Sequence, residues 1–415
     1  MSILIKNVLL DDTSTDVFIV ENIIHQIGTD LNPDTDHIID GTDKAILPSF
    51  INAHTHSAMT HFRGFGDDMP LMEWLEKNIW PNEIRLNEEL VYAGAKLACL
   101  EMIKSGITFF NDMYWFPRGV ARAVSDIGMR AQVNAVFIDL NDSEKAREQI
   151  AMNEELYYEL KGRERIHVGL GPHAVYTVSE SSLLWIKDFA ETHDLMIHIH
   201  LSETEQEVQD CHDKHGVSPV EYLHRLGLLS PRLVAAHCVW VTDKDIDLLA
   251  TNGVNVAHNP ISNMKLSVNR HFPYTKFQDA GVNICLGTDG AGSNNNLSMF
   301  DTMKVAALLQ KHYGTPETLP AAECFNMATI NGYRCFDLPG GEVKEGMLAD
   351  LILVDLNLPE MIPCHHLISN MVYSANTGVV NTTICNGQIL MQDRIVKGED
   401  EILSLAREST KTFLG

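Results

Sequence analysis

The chain has 415 residues, of which 45% are hydrophobic and 21% are charged, so it can bury a large core and global disorder is excluded. Its 56 acidic side chains outnumber its 31 basic ones, which gives a formal net charge of −25. A field of that sign repels phosphate backbones and anionic lipids, so neither nucleic acid nor a membrane surface is expected as a partner.

The eight cysteines are scattered along the chain and form no CxxC pair. In a chain of this size the pattern predicts reduced thiols and a cytoplasmic location. The opening MSILIKNVLLDD lacks a basic leader with an apolar stretch, so no signal peptide is expected. No apolar run approaches the roughly 20 residues that a membrane helix needs.

Short strands are predicted at both ends of the chain. Apolar or alternating pieces at 3–10, 16–20 and 23–27 are separated by Asp, Asn, Thr and Gly, which favour turns. Similar pieces occur at 351–354 and 382–391, and the second contains Asn386-Gly387, a strong hairpin signal.

The middle of the chain alternates between short apolar runs and longer stretches with helical periodicity. The predicted helices include 88–104, 143–160, 180–193 and 243–252, and capping-type residues such as Ser143 and Asp243 open two of them. The eight predicted strands are 46–53, 107–110, 131–137, 166–170, 196–200, 233–236, 254–257 and 282–286. This order predicts an α/β protein with a (β/α)8 TIM barrel. The alternative is an open doubly wound sheet, but no GxGxxG follows an early strand to support it.

In such a barrel, functional residues are expected just after the C-terminal ends of the strands. Strands one, five, six and eight carry suggestive side chains at these positions. Residues two apart on a strand share a face, so each HxH pair can reach one point. In chain order the residues are His54, His56, His198, His200, Glu203, His237 and Asp289.

Imidazole nitrogens together with a carboxylate suit Zn²⁺, and Fe²⁺ or Mn²⁺ are alternatives. A divalent cation lowers the pKa of a bound water to about 7, which makes hydroxide available at neutral pH. Glu203 is predicted to move protons near the metal, and Asp289 both to touch the metal and to take a proton from the attacking water. The structural alternatives are a solvated charge at the start of a helix over 203–209 for Glu203 and a turn residue before Gly290 for Asp289.

ILPSFINAHTH, ending at His56, resembles the opening barrel strand of the amidohydrolase superfamily. IHIHLSET, AAHCVW, VAHNPISNMKL and LGTDGAGSNNNLSMF resemble its later strand ends in the same order. The segment from His61 to Glu83 (HFRGFGDDMPLMEWLEKNIWPNE) most favours the branch of S-adenosylhomocysteine / 5′-methylthioadenosine deaminases and their 5′-deoxyadenosine deaminase relatives. The family usually has Gly where this chain has Ser49.

The resemblance implies a domain organisation and a set of site residues. Residues 1–48 and 341–415, the latter with a terminal helix, would together form a small β-sandwich, and 49–340 the catalytic barrel. His54, His56, His200 and Asp289 match the family's metal ligands, with one zinc ion per subunit. Glu203 matches its proton shuttle, which also contacts the purine, and His237 matches a histidine that orients the attacking hydroxide. Substrate contacts are implied for Trp74, Glu83 and His173.

These matches predict hydrolytic deamination of an adenine nucleoside, with Glu83 holding the ribose hydroxyls. Hydroxide would add to C6 while Glu203 donates a proton to N1, and Asp289 with His237 would handle the proton of the attacking water. Core packing is the alternative for Trp74, and a helix-start carboxylate is the alternative for Glu83.

The stretch after the third strand, NAVFIDLNDSEKARE, lacks the arginine that relatives use for an amino-acid tail and offers only Lys145 and Arg147 farther on. We therefore expect uncharged 5′-substituents such as methylthio or deoxy. Met69, Leu71 and Met72 are candidates for an apolar 5′ wall, and core packing is the alternative for all three.

Three alternatives stay open from the sequence. A guanine-type deaminase and a chlorotriazine hydrolase-like enzyme would use the same metal site, and a non-catalytic metal-binding barrel would keep the site without turnover. Barrels of this family commonly form homo-oligomers, and no feature of the sequence specifies the oligomeric state. The expected partner is a small-molecule nucleoside.

Overall fold

The computed structural model describes residues 1–414, apart from the side chains of Leu71, Met72 and Leu414. Its strands are β1 (Ser2–Leu10), β2 (Thr13–Val20), β3 (Ile23–Gly28), β4 (His37–Asp40), β5 (Lys44–Pro48), β6 (Phe50–Thr55), β7 (Ile107–Tyr114), β8 (Arg130–Phe137), β9 (Ile166–Pro172), β10 (Ile197–Leu201), β11 (Leu233–His237), β12 (Asn255–His258), β13 (Asn283–Leu286), β14 (Leu351–Asp355), β15 (Val380–Cys385), β16 (Gln388–Gln392) and β17 (Ile395–Val396).

Strands β6 to β13 pair in parallel and in sequence order, which confirms the eight-stranded α/β barrel. The last strand returns to the first, since the Asp289 N–H donates to the His54 carbonyl at 3.0 Å. The strands of both chain ends form a second, mixed sheet in the order β17-β16-β15-β14-β5-β1-β2-β3, with β4 beside β1. This terminal sheet encloses an apolar core of its own, which includes Ile5, Ile19 and Leu353.

The α-helices are α1 (Leu71–Trp74), α2 (Trp80–Glu83), α3 (Glu88–Lys104), α4 (Pro117–Ile127), α5 (Ser143–Leu160), α6 (Glu180–His193), α7 (Glu205–His215), α8 (Pro219–Leu226), α9 (Asp243–Thr251), α10 (Pro260–Lys265), α11 (Tyr274–Asp279), α12 (Met299–Tyr313), α13 (Ala321–Ala328), α14 (Ile330–Cys335), α15 (Leu367–Tyr373) and α16 (Glu399–Leu414). Within residues 1–414, none of the helices is both long and apolar enough to cross a lipid bilayer.

Helices α3, α5 and α6 have the bounds that the periodicity predicts. The predicted caps are one residue out of place, because Ser143 and Asp243 are the first helical residues. The N-caps are Asp142, whose side chain accepts from two backbone N–H groups, and Thr242, which forms a capping box with Asp245.

The prediction of one continuous strand over 46–53 is wrong. The chain forms two strands there, β5 in the terminal sheet and β6 in the barrel. Ser49 lies between them, and its hydroxyl is hydrogen-bonded to Thr108 Oγ1 at 2.5 Å and to the Tyr333 hydroxyl at 2.7 Å. Because both sheets bury apolar side chains here, apolar residues flank Ser49 on both sides and conceal the change of sheet.

A buried ion pair connects the barrel to the terminal sheet. Arg130, in β8, donates to Asp350 Oδ2 at 2.5 Å and to Asn386 Oδ1 at 2.8 Å. The side chains of Arg130 and Asp350 are only 4% and 0% exposed. Burial lowers the pKa of Arg130, but the facing carboxylate of Asp350 more than offsets this and holds the pKa above its usual range. Each charge therefore depends on the other for its stabilisation.

We predict that Arg130→Met or Asp350→Leu alone lowers the free energy of unfolding by about 3–5 kcal/mol, because each leaves an unpaired buried charge. The double variant should lose less than the sum of the two. Chemical denaturation measures both. The control is Lys276→Met, which removes an exposed pair with Asp243 and should cost less than about 1 kcal/mol. If Arg130→Met or Asp350→Leu loses no more free energy of unfolding than Lys276→Met, the expectation is wrong.

Candidate active site

The ends of β6, β10, β11 and β13 converge on one cluster of donor atoms. Nitrogens of His54, His56 and His200 lie within 4.8 Å of one another, and so do ligand atoms of His54, His237 and Asp289. His56 Nε2 is 3.2 Å from Asp289 Oδ1 and 3.3 Å from His200 Nε2. The structure therefore brings together all four residues that the sequence predicts as metal ligands, with His237 beside them.

The donor set fits a divalent cation. His54 Nε2 is buried, lies 3.3 Å from Asp289 Oδ1, and has no hydrogen bond of proper geometry. Buried polar atoms without a partner are rare in folded proteins, and a coordinated cation would satisfy this one. Three imidazoles and one carboxylate are ligands that zinc, iron(II) and manganese(II) accept.

The second nitrogen of each histidine is held by the protein. His56 Nδ1 donates to the Met113 carbonyl at 2.5 Å, and His200 Nδ1 donates to the His173 carbonyl at 2.8 Å. His54 Nδ1 is bonded to His198 Nε2 at 2.8 Å. Such contacts orient metal-binding imidazoles. His198 shares a strand face with His200 but supports His54 from deeper in the barrel, outside the donor cluster.

Two residues of α10, after strand β12, hold the other members of the cluster. Ser262 Oγ donates to Asp289 Oδ2 at 2.6 Å, and His237 Nδ1 donates to Asn263 Oδ1 at 2.8 Å. Asp289 and His237 have φ values of 60° and 75°, a left-handed conformation that is unfavourable for both residue types. The sequence analysis missed Ser262 and Asn263, and their only signal was a short polar run after an apolar strand.

Glu203 lies in the site and not in the helix predicted over 203–209, since α7 begins two residues later. Its side chain is only 12% exposed, and its Oε1 is 3.8 Å from His237 Nδ1, so the solvated-charge alternative is wrong. Burial raises the pKa of Glu203, and the nearby His237 only partly opposes this. The sequence analysis missed Glu207, whose carboxylate accepts hydrogen bonds from the backbone N–H groups of Ser202 and Glu203, both at 2.8 Å. These bonds hold the backbone at Glu203 in place.

A cavity open to solvent joins the cluster to the three predicted substrate contacts, Trp74, Glu83 and His173. Glu83 Oε2 accepts the Trp115 indole N–H at 3.1 Å, and burial raises the pKa of Glu83. Trp74 is 5% exposed and both packs in the core and lines the cavity. Gly292 makes room for it, because a Cβ there would lie 3.0 Å from Trp74 Cζ2.

His173 is neutral at pH 7, because burial and the neighbouring histidines lower its pKa to about 4. Its Nδ1 is hydrogen-bonded to Thr177 Oγ1 at 3.0 Å, which orients the ring in the cavity wall. A neutral imidazole here can exchange a hydrogen bond with a ring nitrogen of a ligand without placing a second positive charge near the donor cluster.

The apolar wall of the cavity differs from the predicted one. Met69 packs against the core and does not line the cavity, and the side chains of Leu71 and Met72 lie outside the described residues. Apolar side chains from the end of β8 and the residue after it, from the end of α10, and from residues 75–80 take this place. They are Leu75, Ile79, Trp80, Val136, Ile138 and Leu266.

A turn of π-helix, Leu75–Ile79, lies between α1 and α2 and orients two of the cavity residues. Trp74 and Glu83 are nine positions apart, which in a continuous α-helix is a rotation of about 900°, placing them on opposite faces. The π turn holds more residues per turn and so rotates the chain less. Both side chains can therefore reach the same cavity.

The entrance segment, residues 63–86, carries Trp74 and Glu83 and is tied to the rest of the barrel by Asp67. Asp67 Oδ1 accepts from Lys265 Nζ at 2.6 Å, and Asp67 Oδ2 accepts from Asn295 Nδ2 at 2.8 Å. Lys265 follows β12 and Asn295 follows β13. Lys265 and then Asn295 are the main groups that lower the pKa of Asp67. The contact thus anchors the entrance segment to two other strand ends.

The amidohydrolase family model matches residues 45–390. A 5′-deoxyadenosine deaminase of Methanoregula boonei is 46% identical over 413 residues, covering 98% of this chain and 93% of the relative. A 5-methylthioadenosine/S-adenosylhomocysteine deaminase of Archaeoglobus fulgidus is 47% identical over 385 residues, covering 92% and 91%. The crystal structure of an adenosine deaminase from Xanthomonas campestris with bound zinc superposes with a TM-score of 0.93 at 32% identity, covering 99% and 98%.

We predict that Asp67→Asn loosens the entrance segment, because an amide supplies only one acceptor where two donors now bind. Amide hydrogen exchange within residues 63–86 should accelerate about tenfold, with the rest of the barrel unchanged. Asp68→Asn is the matched control, since that neighbouring side chain is exposed. Equal exchange in the two variants would show that Asp67 does not anchor the segment.

Proposed function

The chain belongs to the amidohydrolase family, and we propose that it removes the 6-amino group of an adenine nucleoside by hydrolysis, releasing ammonia and leaving the inosine analogue. The observation that carries this proposal is that one cavity is lined both by the donor cluster and by a half-buried carboxylate, Glu83. The cluster suits attack on the base, and the carboxylate suits the two hydroxyls of a ribose.

In this proposal His54, His56, His200 and Asp289 hold one divalent cation per subunit, and zinc is the metal we expect. When bound, such a cation lowers the pKa of a water and stabilises negative charge that develops on it. The protein keeps the four ligands ready by holding the Nδ1 atoms of the histidines and the second oxygen of Asp289. Iron(II) and manganese(II) fit the same ligands.

Glu203 moves protons between the attacking water and the base. Burial raises the pKa of this carboxyl, so it holds a proton more readily than a solvent-exposed glutamate does. Glu203 donates this proton to N1 of the adenine ring as hydroxide adds to C6. Asp289, with His237, takes the remaining proton of the attacking water and passes it to the 6-amino group, which leaves as ammonia as the tetrahedral centre collapses to the C6 carbonyl.

The substrate is oriented by residues on three sides of the cavity. Glu83 accepts hydrogen bonds from the ribose hydroxyls, which favours a nucleoside over a free base. Trp74 packs against the nucleoside, and neutral His173 bonds a nitrogen of the purine. The preference for a nucleoside also separates this function from a guanine-type deaminase, whose free-base substrate has no ribose for Glu83 to bind.

The 5′ end of the nucleoside meets an apolar wall. Val136 and Ile138, at the end of β8, line the cavity together with Trp80. Among the cavity-lining residues described in the structure there is no lysine or arginine. A zwitterionic amino-acid tail would therefore lose its hydration without gaining an ion pair. A methylthio or deoxy group carries no charge, so it avoids this cost. We propose uncharged 5′-substituents as the preferred ones.

Glu203→Gln should retain its metal and lose about a hundredfold to ten-thousandfold in kcat, since the amide cannot transfer the proton. Ammonia release gives the rate, and elemental analysis of the purified protein gives the metal content. Glu205→Gln, at an exposed position two residues on, is the control and should behave as the wild type. A Glu203→Gln enzyme with more than a tenth of the wild-type rate would remove Glu203 from this role.

A substrate series tests the 5′ preference. With zinc-loaded protein we expect turnover of 5′-deoxyadenosine, 5′-methylthioadenosine and adenosine, at least about tenfold lower kcat/KM for S-adenosylhomocysteine, and none for guanine. Ile138→Arg should raise the relative kcat/KM for S-adenosylhomocysteine about tenfold by supplying a cation. Leu140→Arg, at a position 57% exposed, is the control and should change nothing. Efficient turnover of S-adenosylhomocysteine by the wild type would contradict the 5′ preference and leave the proposed deamination standing.

A further inference from the structure

Tyr114 carries a buried hydroxyl without a partner inside the candidate active site. The residue ends β7, is 4% exposed, and lines the cavity. Its hydroxyl oxygen has no hydrogen bond to any described atom of the protein. Burying a hydroxyl in this way is unfavourable, and a protein normally pairs such a group or keeps it for a ligand.

The other buried tyrosines of residues 1–414 behave differently. Tyr222 donates to Glu180 at 3.2 Å, Tyr274 donates to Glu323, and Tyr333 is bonded to Ser49 at 2.7 Å. Where a tyrosine serves packing alone, this fold supplies a partner for the hydroxyl. The missing partner of Tyr114 is therefore specific to the cavity.

The position of Tyr114 limits what its hydroxyl can meet. Its ring centroid is 6.2 Å from that of His56, which belongs to the donor cluster. On its other side lies Glu83, which is held by the next residue, Trp115. The Tyr114 hydroxyl lies beside the Glu83 carboxylate and lowers its pKa, but the two groups are not aligned for a hydrogen bond. A ligand hydroxyl placed beside both groups would accept from Tyr114 and donate to Glu83.

On the basis of the proposed function, we propose that Tyr114 donates a hydrogen bond to the 2′-oxygen of the ribose, whose own proton is donated to Glu83. The reacting end of the base must lie at the donor cluster, next to His56. Of the two ribose hydroxyls, the 2′-hydroxyl is nearer to the base. The Tyr114 ring neighbours His56 of the cluster, so in this proposal it meets the 2′-hydroxyl and not the 3′-hydroxyl. Tyr114 is then a residue that selects ribonucleosides against 2′-deoxyribonucleosides.

The stability of Tyr114→Phe gives the first test. Because the hydroxyl has no partner in the free protein, its removal should leave the melting temperature unchanged or slightly higher. Tyr333→Phe is the matched control, since it removes a bonded hydroxyl far from the cavity. It should lower the melting temperature and leave the catalytic parameters unchanged. A clear loss of stability in Tyr114→Phe would mean that the hydroxyl is structural and would overturn the inference.

The second test compares three substrates in the zinc-loaded enzyme. Tyr114→Phe should lower kcat/KM about tenfold for adenosine and for 3′-deoxyadenosine, because a hydrogen bond to the 2′-oxygen is lost. The value for 2′-deoxyadenosine should stay within twofold. An equal loss for all three substrates would mean that Tyr114 only positions Glu83 or the metal ligands, and no loss would mean that it contacts nothing. Either result would overturn the inference.

Binding measurements separate this inference from the proposed function. Calorimetric titration of wild-type and Tyr114→Phe protein with inosine and 2′-deoxyinosine needs no turnover. A loss of affinity confined to inosine supports the Tyr114 contact even if no adenine nucleoside is deaminated. If deamination occurs but Tyr114→Phe loses affinity equally for both ligands, the proposed function stands and the Tyr114 contact is wrong.

Discussion

The site depends on four donor groups that the barrel holds together at the ends of its strands. Three imidazole nitrogens and a carboxylate oxygen lie within a few ångströms of one another and are almost entirely buried. Such an arrangement persists only if the surrounding structure determines it, and each donor here has its second atom fixed by a neighbour. The left-handed backbone at His237 and Asp289 has the same origin, since a relaxed strand end would aim these side chains elsewhere.

Three consecutive residues at the end of β7 connect the parts of the site. The Met113 carbonyl holds His56 of the donor cluster, and the Trp115 indole holds Glu83 on the opposite side of the cavity. Tyr114 lies between them with its hydroxyl free. One strand end thus sets the distance between the donor cluster and Glu83, which in the proposed function is the distance between the reacting end of the base and its ribose.

The barrel and the donor residues were predictable from sequence because both leave short-range patterns. Eight apolar runs imply eight strands, and His-x-His after a strand places two imidazoles on one face. The supporting residues left no such pattern. Ser262, Asn263 and Glu207 are ordinary polar residues until the fold brings them to Asp289, His237 and the backbone of Glu203. The π turn and the change of sheet at Ser49 were missed because the first has no sequence period and the second occurs inside one apolar run. The roles of the site residues and the domain limits stay predictions.

The terminal sheet has a consequence for the synthesis of the protein. Strand β5 pairs with β14, joining Lys44 to Asp355, so the N-terminal strands emerge from the ribosome long before this partner exists. The separation is 355 − 44 = 311 residues. At about 5–20 residues per second, that edge stays unpaired for roughly 15–60 seconds. The barrel can close during this interval, whereas an exposed strand edge invites pairing with another chain. Protection of that edge by a chaperone would therefore matter most while the barrel is still being made.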